Sequence, residues 1–381
     1  MIVKGLCISD LHFGISCSKR LLEELSIVKD YIEKHDLDVI HINGDFFDRN
    51  LSVNEPGAIL GMQFFFDIRN LCIRKKIKLR VVHGTDGHER QQTEMFKSFS
   101  SNHLDMKIFN TVTDEELFPG FRVLYMPEEY PLDANEYYKE WKSKEYNAIM
   151  GHGMWDFVAV QSVIEQGDRT NVKTCPVLKY DEWAPTIPHG MAIFGHIHAR
   201  QVYKKKIYYP GSFTAWDFCD ISDKGFAVYT YDTEKKYYNV NLITNQRSPK
   251  YLVKKLNKLG LDLEHLDFDE LKRIVKEEAS KVDFFRLEVD AVPLEVQEVL
   301  KKLFKDESNI SVKFNTPKRT LEHTRTDDIY TKYDYLFNDT LKIEDNIMRY
   351  IKENMIEHDN ADKITVEMIR ELLDIPNTET V

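Results

Sequence analysis

Short apolar runs in this chain stop, one after another, at an aspartate, at a histidine, or at a glycine that releases one. Ile2 to Ser9 ends at Asp10-Leu11-His12, Val39 to Asn43 at Gly44-Asp45, and Leu79 to His83 at Gly84-Thr85-Asp86-Gly87-His88-Glu89. Ala148 to Met150 ends at Gly151-His152, and Met191 to Phe194 at Gly195-His196-Ile197-His198. Apolar runs of this length, cut off by glycine, predict buried strands. Helical spacing fills the intervals. Leu21, Leu25, Val28 and Ile32 share one face behind Ser18, and a second helix is expected up to about Arg74. Strand and helix in alternation predict an α/β architecture. Ligands in layered α/β folds bind at the carboxyl ends of the strands, so polar clusters far apart in sequence are expected to meet in space.

Each piece alone has an ordinary explanation. Asp10 and His12 would serve as helix caps, Asp45 as a turn aspartate, and His152 as a satisfied, partly buried histidine. Their recurrence at successive strand ends points instead to a metal centre. An extended backbone throws His196 and His198 to the same side, and each ring then offers one nitrogen while the other is held by a neighbour. The candidate ligands are Asp10, His12, Asp45, Asp86 or Thr85, His152, His196 and His198, with His88 close by. A mixed carboxylate and imidazole shell suits manganese, iron or zinc better than magnesium or calcium. The set is too large for one ion, whereas two divalent metal ions about 3.5–4 Å apart, sharing Asp45, use it fully. On a phosphate ester such a pair leaves a departing alkoxide to be protonated. His88 is expected as the general acid, its ring oriented by Asp48 or Glu89. Arg122 to Met126, closed by Pro127, is expected to be a strand without chemistry.

Length predicts two or three compact units for 381 residues. No stretch has the eighteen or so apolar residues of a membrane span, and the opening residues lack the features of a signal peptide. A cytoplasmic protein is expected, in the host cytoplasm if the source is viral. Five scattered cysteines, an odd number without a Cys-x-x-Cys pair, argue for reduced thiols and against a thiolate-bound metal. A net charge of -11 argues against a protein that wraps nucleic acid with its whole surface. After hairpin-like segments at Phe226 to Tyr231 and Tyr237 to Ile243, Asn245 to Pro249 is expected as a linker. A small α+β unit follows, with helices at Leu271 to Ala279 and Leu294 to Phe304 and strands at Phe284 to Val289 and Ile310 to Phe314. Beyond a polar stretch, Ile343, Ile347, Tyr350 and Ile351, and then Val366, Ile369, Leu372 and Leu373, follow helical spacing.

Taken in order, Asp10-x-His12, Gly44-Asp45-x-x-Asp48-Arg49, Gly151-His152 and Gly195-His196-x-His198 resemble the signature of the calcineurin-like metallophosphoesterases. Tyr209-Pro210-Gly211-Ser212-Phe213, Trp216-Asp217-Phe218 and Lys224-Gly225-Phe226 are similar to the branch of SbcD-type DNA-repair nucleases that work with an SbcC-type coiled-coil ATPase. The resemblance implies a two-sheet sandwich flanked by helices at 1–245, a capping domain at 250–315, a linker at 316–328 and a helical ATPase-binding tail at 329–381. It also implies a pair of manganese ions, exonuclease action on duplex ends, endonuclease action on single strands, and a homodimer within a heterotetramer. One loop departs from the family, whose third strand carries Gly-Asn-His with Asn as a ligand. Here Gly84 and His88 stand two residues further apart, and Asp86, Thr85 or a water would take the place of the amide oxygen. Two alternatives follow: a phosphomonoesterase or cyclic-nucleotide phosphodiesterase on the same scaffold, or a scaffold subunit whose metal centre has decayed.

Overall fold

The expected strands form, and shorter ones join them, in two six-stranded sheets and one separate two-stranded pair. In chain order they are β1 (Ile2–Ile8), β2 (Val39–Asn43), β3 (Lys78–Val82), β4 (Met106–Phe109), β5 (Thr113–Phe118), β6 (Phe121–Met126) and β7 (Ala148–His152). Then come β8 (Met154–Trp155), β9 (Val177–Leu178), β10 (Met191–Gly195), β11 (Gln201–Tyr203), β12 (Ile207–Tyr209), β13 (Gly225–Asp232) and β14 (Tyr237–Thr244). The computed structural model describes residues 1–90, 92–158, 177–220, 222–261, 266–290, 292–315, 347–348, 351 and 364–372. One sheet runs β14-β13-β1-β2-β3-β4 and the other β11-β12-β10-β7-β6-β5. β1 to β4 are parallel to one another, as are β6, β7 and β10, whereas β13 enters antiparallel to β1. The fold is the two-sheet α/β sandwich with helices on its outer faces.

Alternation along the strands decides which layer each side chain joins. Val3 and Cys7 of β1 meet Val123, Met150 and Ile193 in the core between the sheets, while Leu6 and Ile8 face the helices. Those helices, α1 (Ser18–Glu24), α2 (Ser26–Lys34) and α3 (Pro56–Lys75), bury Leu21, Val28, Ile32, Phe64, Phe65 and Ile68 against the first sheet. On the far side Ala192 and Phe194 of β10 pack with Trp155 and Trp183. A strand buried on both faces reads as a continuous apolar run, and each fully buried Leu, Ile or Phe stabilises the fold by about 1.5–3 kcal/mol. The sequence pattern leaves out β4, β5, β8, β9, β11 and β12, because edge strands such as Thr113–Phe118 are polar and mostly half-buried, and β8, β9 and β12 are only two or three residues long.

The described chain divides into two units, Met1–Val289 with Leu294–Lys313, and Asp290–Pro293 with Phe314–Val381. Within the first, β15 (Tyr251–Lys255), β16 (Phe284–Val289) and β17 (Ile310–Phe314) make a three-stranded sheet accompanied by the helices Phe268–Ala279 and Leu294–Leu303. The Phe218 ring stands edge-on to Tyr251, 5.1 Å between centroids, and receives the Arg286 guanidinium at 3.9 Å. Asn245, in the expected linker, is buried, and its amide donates to Glu24 at 2.8 Å and to the Phe213 carbonyl at 3.1 Å. In the second unit Val366–Leu372 is helical with Ile369 buried. The expected linker 316–328 and most of the expected tail, including Tyr350 and Leu373, lie outside the described residues.

Arg80 on β3 is a fully buried cation. Its guanidinium donates to both oxygens of Glu115, at 2.8 and 2.9 Å, and lies 2.9 Å from Asp105. Burial pushes the Glu115 and Asp105 carboxyls up; for Glu115 the Arg80 guanidinium, and for Asp105 Lys78 and then Arg80, outweigh it and hold both below their ordinary range. Their contribution to stability is therefore complete above about pH 5 and is lost as pH falls from there through the lowered values. Arg80→Met is expected to lower the unfolding free energy by about 2 kcal/mol at neutral pH, and by progressively less in acid, in urea titrations run across pH.

Candidate metal centre

The loops after β1, β2, β3, β6, β7 and β10 converge at one end of the sandwich. Main-chain bonds splice the first two together, Asp10 N–H to the Gly44 carbonyl at 3.1 Å and His12 N–H to the Asp45 carbonyl at 2.9 Å. Asp10, His12, Asp45 and His196 all hold positive φ, 52°, 50°, 50° and 89°. Such conformations cost on the order of 1–3 kcal/mol each and concentrate at functional sites. They turn each side chain off its strand direction and into the cluster. Glycine is required where the loops crowd: a Cβ on Gly44 (φ 79°) would stand 2.3 Å from the His152 ring, and one on Gly84 2.2 Å from Asp45 N.

The candidate ligands form two groups on either side of Asp45. Asp10, His12 and His198 make one, Glu128, His152 and His196 the other, and Asp45 joins Asp10 and His152 in a third set and His12 and His88 in a fourth. His12 Nε2 lies 3.1 Å from His198 Nε2 and 3.6 Å from Asp45 Oδ2, and His152 Nε2 lies 3.3 Å from Asp45 Oδ2. The Asp45 carboxylate thus stands where a ligand shared by both groups would stand. Its Oδ1 accepts from Thr85 N at 2.7 Å, leaving Oδ2 for the cluster. Asp10 follows the same arrangement: Oδ1 accepts from His196 N at 2.8 Å, and Oδ2 is buried without a hydrogen-bond partner. His152 Nδ1 donates to the Asn43 carbonyl at 2.8 Å, which turns Nε2 inward.

Three placements differ from the sequence expectation. Asp86 is exposed at the first position of the short helix Asp86–Glu89 and joins none of the groups, because that turn points its side chain to solvent. Thr85 lies inside instead, its hydroxyl 3.0 Å from Glu128 Oε2 and 3.4 Å from Asp45 Oδ2. Glu128 was missed: it follows β6, the strand expected to carry no chemistry, and Oε2 lies 3.1 Å from His196 Nδ1. An acidic residue just past an apolar run was the available signal, but Pro127 hid it by reading as a plain strand stop. The third difference is the holder of His88. Its Nδ1 donates to the main-chain carbonyl of Asp48 at 2.5 Å, while the Asp48 carboxylate lies 3.3 Å from His12 Nδ1. Glu89 is buried beneath, accepting from Phe46 N and from Gly84 N at 2.8 Å. His88 Nε2, on a partly exposed ring, is 4.0 Å from Asp45 Oδ2.

Charge in the cluster is dominated by its carboxylates. Burial raises the Asp45 carboxyl, but the His152 imidazole, followed by His12 and His88, holds it well below the usual carboxylate range. Burial likewise raises Glu128, yet His196 and then His152 bring it down to about 2. For His152 burial opposes the charge and Asp45 outweighs it, raising the imidazole well above its ordinary value. His198 goes the other way, held low by burial and by the neighbouring His12. Buried charges persist when paired or when they coordinate metal. The unpartnered Asp10 Oδ2, the two imidazole nitrogens facing each other and the mixed N and O donors fit divalent cations.

Saturating Mn(II) is therefore expected to stabilise the chain, by about 2.7 kcal/mol at a hundredfold excess over Kd. Thermal unfolding with Mn(II) and with chelator measures the gain, and Asp45→Asn is expected to abolish it. An equal gain in that variant would remove Asp45 from the centre.

A model of the calcineurin-like phosphoesterases matches residues 4–200. No curated protein matches the chain. One crystal structure aligns at a TM-score of 0.36 and 13% identity, over 64% of this chain and 100% of its own. The crystal structure of the Pseudomonas putida nuclease MPE aligns at a TM-score of 0.26 and 14% identity, over 59% of this chain and 83% of its own. Likeness at that level says nothing about activity. The family match spans more than half of the sequence and takes in all the residues around Asp45, and the chain belongs to the calcineurin-like phosphoesterases.

Proposed function

We propose that this chain is a two-metal-dependent DNA nuclease, the nuclease subunit of an SbcCD-like complex that processes DNA ends in recombination and repair. The observation that carries the hydrolytic part is the pair of ligand groups meeting at Asp45 with His88 at the open side. Two ions held there would polarise a phosphodiester and align nucleophile and leaving group. Asp10, His12 and His198 would hold one, and His152 and His196 the other, with Asp45 between them. With Nδ1 on the Asp48 carbonyl, His88 keeps Nε2 as the atom that gives a proton to the departing oxygen. The Asp48 carboxylate and the Asn43 carbonyl fix the orientations of His12 and His152.

Support for DNA as substrate comes from the segments similar to the nuclease branch, which are wired to this site. Lys224 Nζ donates to the His198 carbonyl at 2.8 Å and Ser212 N to the same oxygen at 3.2 Å. Trp216 stands edge-on to His12 and His198, with centroids 5.1 and 4.9 Å away. The acidic net charge fits a subunit whose partner ATPase supplies much of the phosphate-binding surface. The tail beyond residue 328 is the proposed ATPase-binding segment, and a homodimer would bring two sites to one DNA end.

Cleavage of end-labelled duplex and single-stranded DNA with Mn(II), alone and with the ATPase, tests the activity. His88→Ala is expected to lower kcat about 10²–10⁴-fold while keeping its metal. Hydrolysis of small phosphomonoesters or cyclic nucleotides without DNA cleavage would favour the alternative esterase, and absence of Mn(II) binding the decayed scaffold. A chain ending at Asn315 is expected to bind Mn(II) like the parent but to lose the ATPase in pull-down; retained complex would remove the tail from that role.

A further inference from the structure

We infer that Glu128 is a direct ligand of the second divalent cation, held in place by the hydroxyls of Thr85 and Tyr130. The inference rests on the two-cation reading of the site and assigns a residue that the strand-end pattern does not contain. The first group supplies one carboxylate and two imidazoles, Asp10, His12 and His198, beside the shared Asp45. Without Glu128 the second would supply only His152 and His196. With it the two groups carry the same donors, and each can neutralise a divalent charge equally.

Glu128 also has the construction of the other two carboxylates. Asp10 and Asp45 each tie Oδ1 to a main-chain N–H of a neighbouring loop and present Oδ2. Glu128 ties Oε1 to the Tyr130 hydroxyl and presents Oε2, which lies 3.1 Å from His196 Nδ1 and 3.7 Å from His152 Nε2. Only 6% of the residue is exposed, so its charge faces the imidazoles and not water. The Thr85 hydroxyl, 3.0 Å from Oε2 and 3.4 Å from His152 Nε2, is oriented into the same space. The loop after β3 therefore contributes a neutral positioning hydroxyl, and the anionic donor comes from the loop after β6. Neighbouring Glu129 faces elsewhere, accepting from Val112 N at 2.9 Å and from the Tyr137 hydroxyl at 2.7 Å.

The test is Mn(II) binding by the full metal-stripped chain, read as stoichiometry in equilibrium dialysis and as the EPR spectrum. The parent is expected to take up about two ions and show an exchange-coupled pair. Glu128→Gln is expected to weaken the second ion by more than the ~10–100-fold that partners of metal ligands are worth, leaving the spectrum of isolated Mn(II). Glu129→Gln is expected to behave as the parent. Should Glu128→Gln fail to fold, Glu128→Asp carries the same test, because it withdraws the carboxylate from His196 while keeping its charge. A coupled pair bound at parental affinity in the folded variant overturns the role of Glu128 and leaves the two-cation reading standing. A parent that binds no Mn(II) overturns both.

Discussion

Three carboxylates, those of Asp10, Asp45 and Glu128, are buried at 0%, 2% and 6% exposure within one cluster, and most of the local structure follows from keeping them there. Like charges at low dielectric repel strongly, so the arrangement requires positive charge between them. Imidazoles supply part of it, which is why His152 is raised and Asp45 and Glu128 are lowered. Each carboxylate spends one oxygen on a fixed donor and turns the other inward. A site built this way is preorganised for cations, because its dipoles need no rearrangement when a cation arrives.

The scaffold bears the cost of that preorganisation. Four side chains of the cluster sit on backbone of positive φ, and Gly44 and Gly84 give up side chains so that three loops can touch. These local penalties are offset by a sandwich packed on three levels, between the sheets and on both outer faces. The same packing encloses a polar pair in the core. His41, pushed down to about 3 by burial and by Arg80, is a neutral imidazole bonded to the Tyr229 hydroxyl at 2.9 Å, a structural role distinct from that of the histidines at the strand ends.

Legibility in the sequence follows regularity of the backbone. β1, β2, β3, β7 and β10 are buried over most of their length and largely apolar, interrupted in the first three by Lys4, His41 and Arg80, and their stops are sharp. Asp10, His12, Asp45, His152, His196 and His198 were therefore visible as a set. The edge strands β4, β5 and β11 were not, since half-exposed positions accept polar residues and blur the alternation. Within the third loop, Asp86 was the chemically attractive candidate and Thr85 the indifferent one. The turn of Asp86–Glu89 reverses that order by sending Asp86 outward and the Thr85 hydroxyl inward.

By itself the sequence determined the strand and helix alternation, the family, and the residues that end the apolar runs, because burial and periodicity are properties of contiguous residues. Tertiary structure alone decided which oxygen of each carboxylate faces the cluster, that Asp48 holds His12 with its carboxylate and His88 with its carbonyl, and that Glu128 joins from the loop after β6. Those outcomes depend on the sign of φ in loops and on contacts across two sheets. Neither has a period along the chain, and so neither leaves a pattern that the residues show before the loops are brought together.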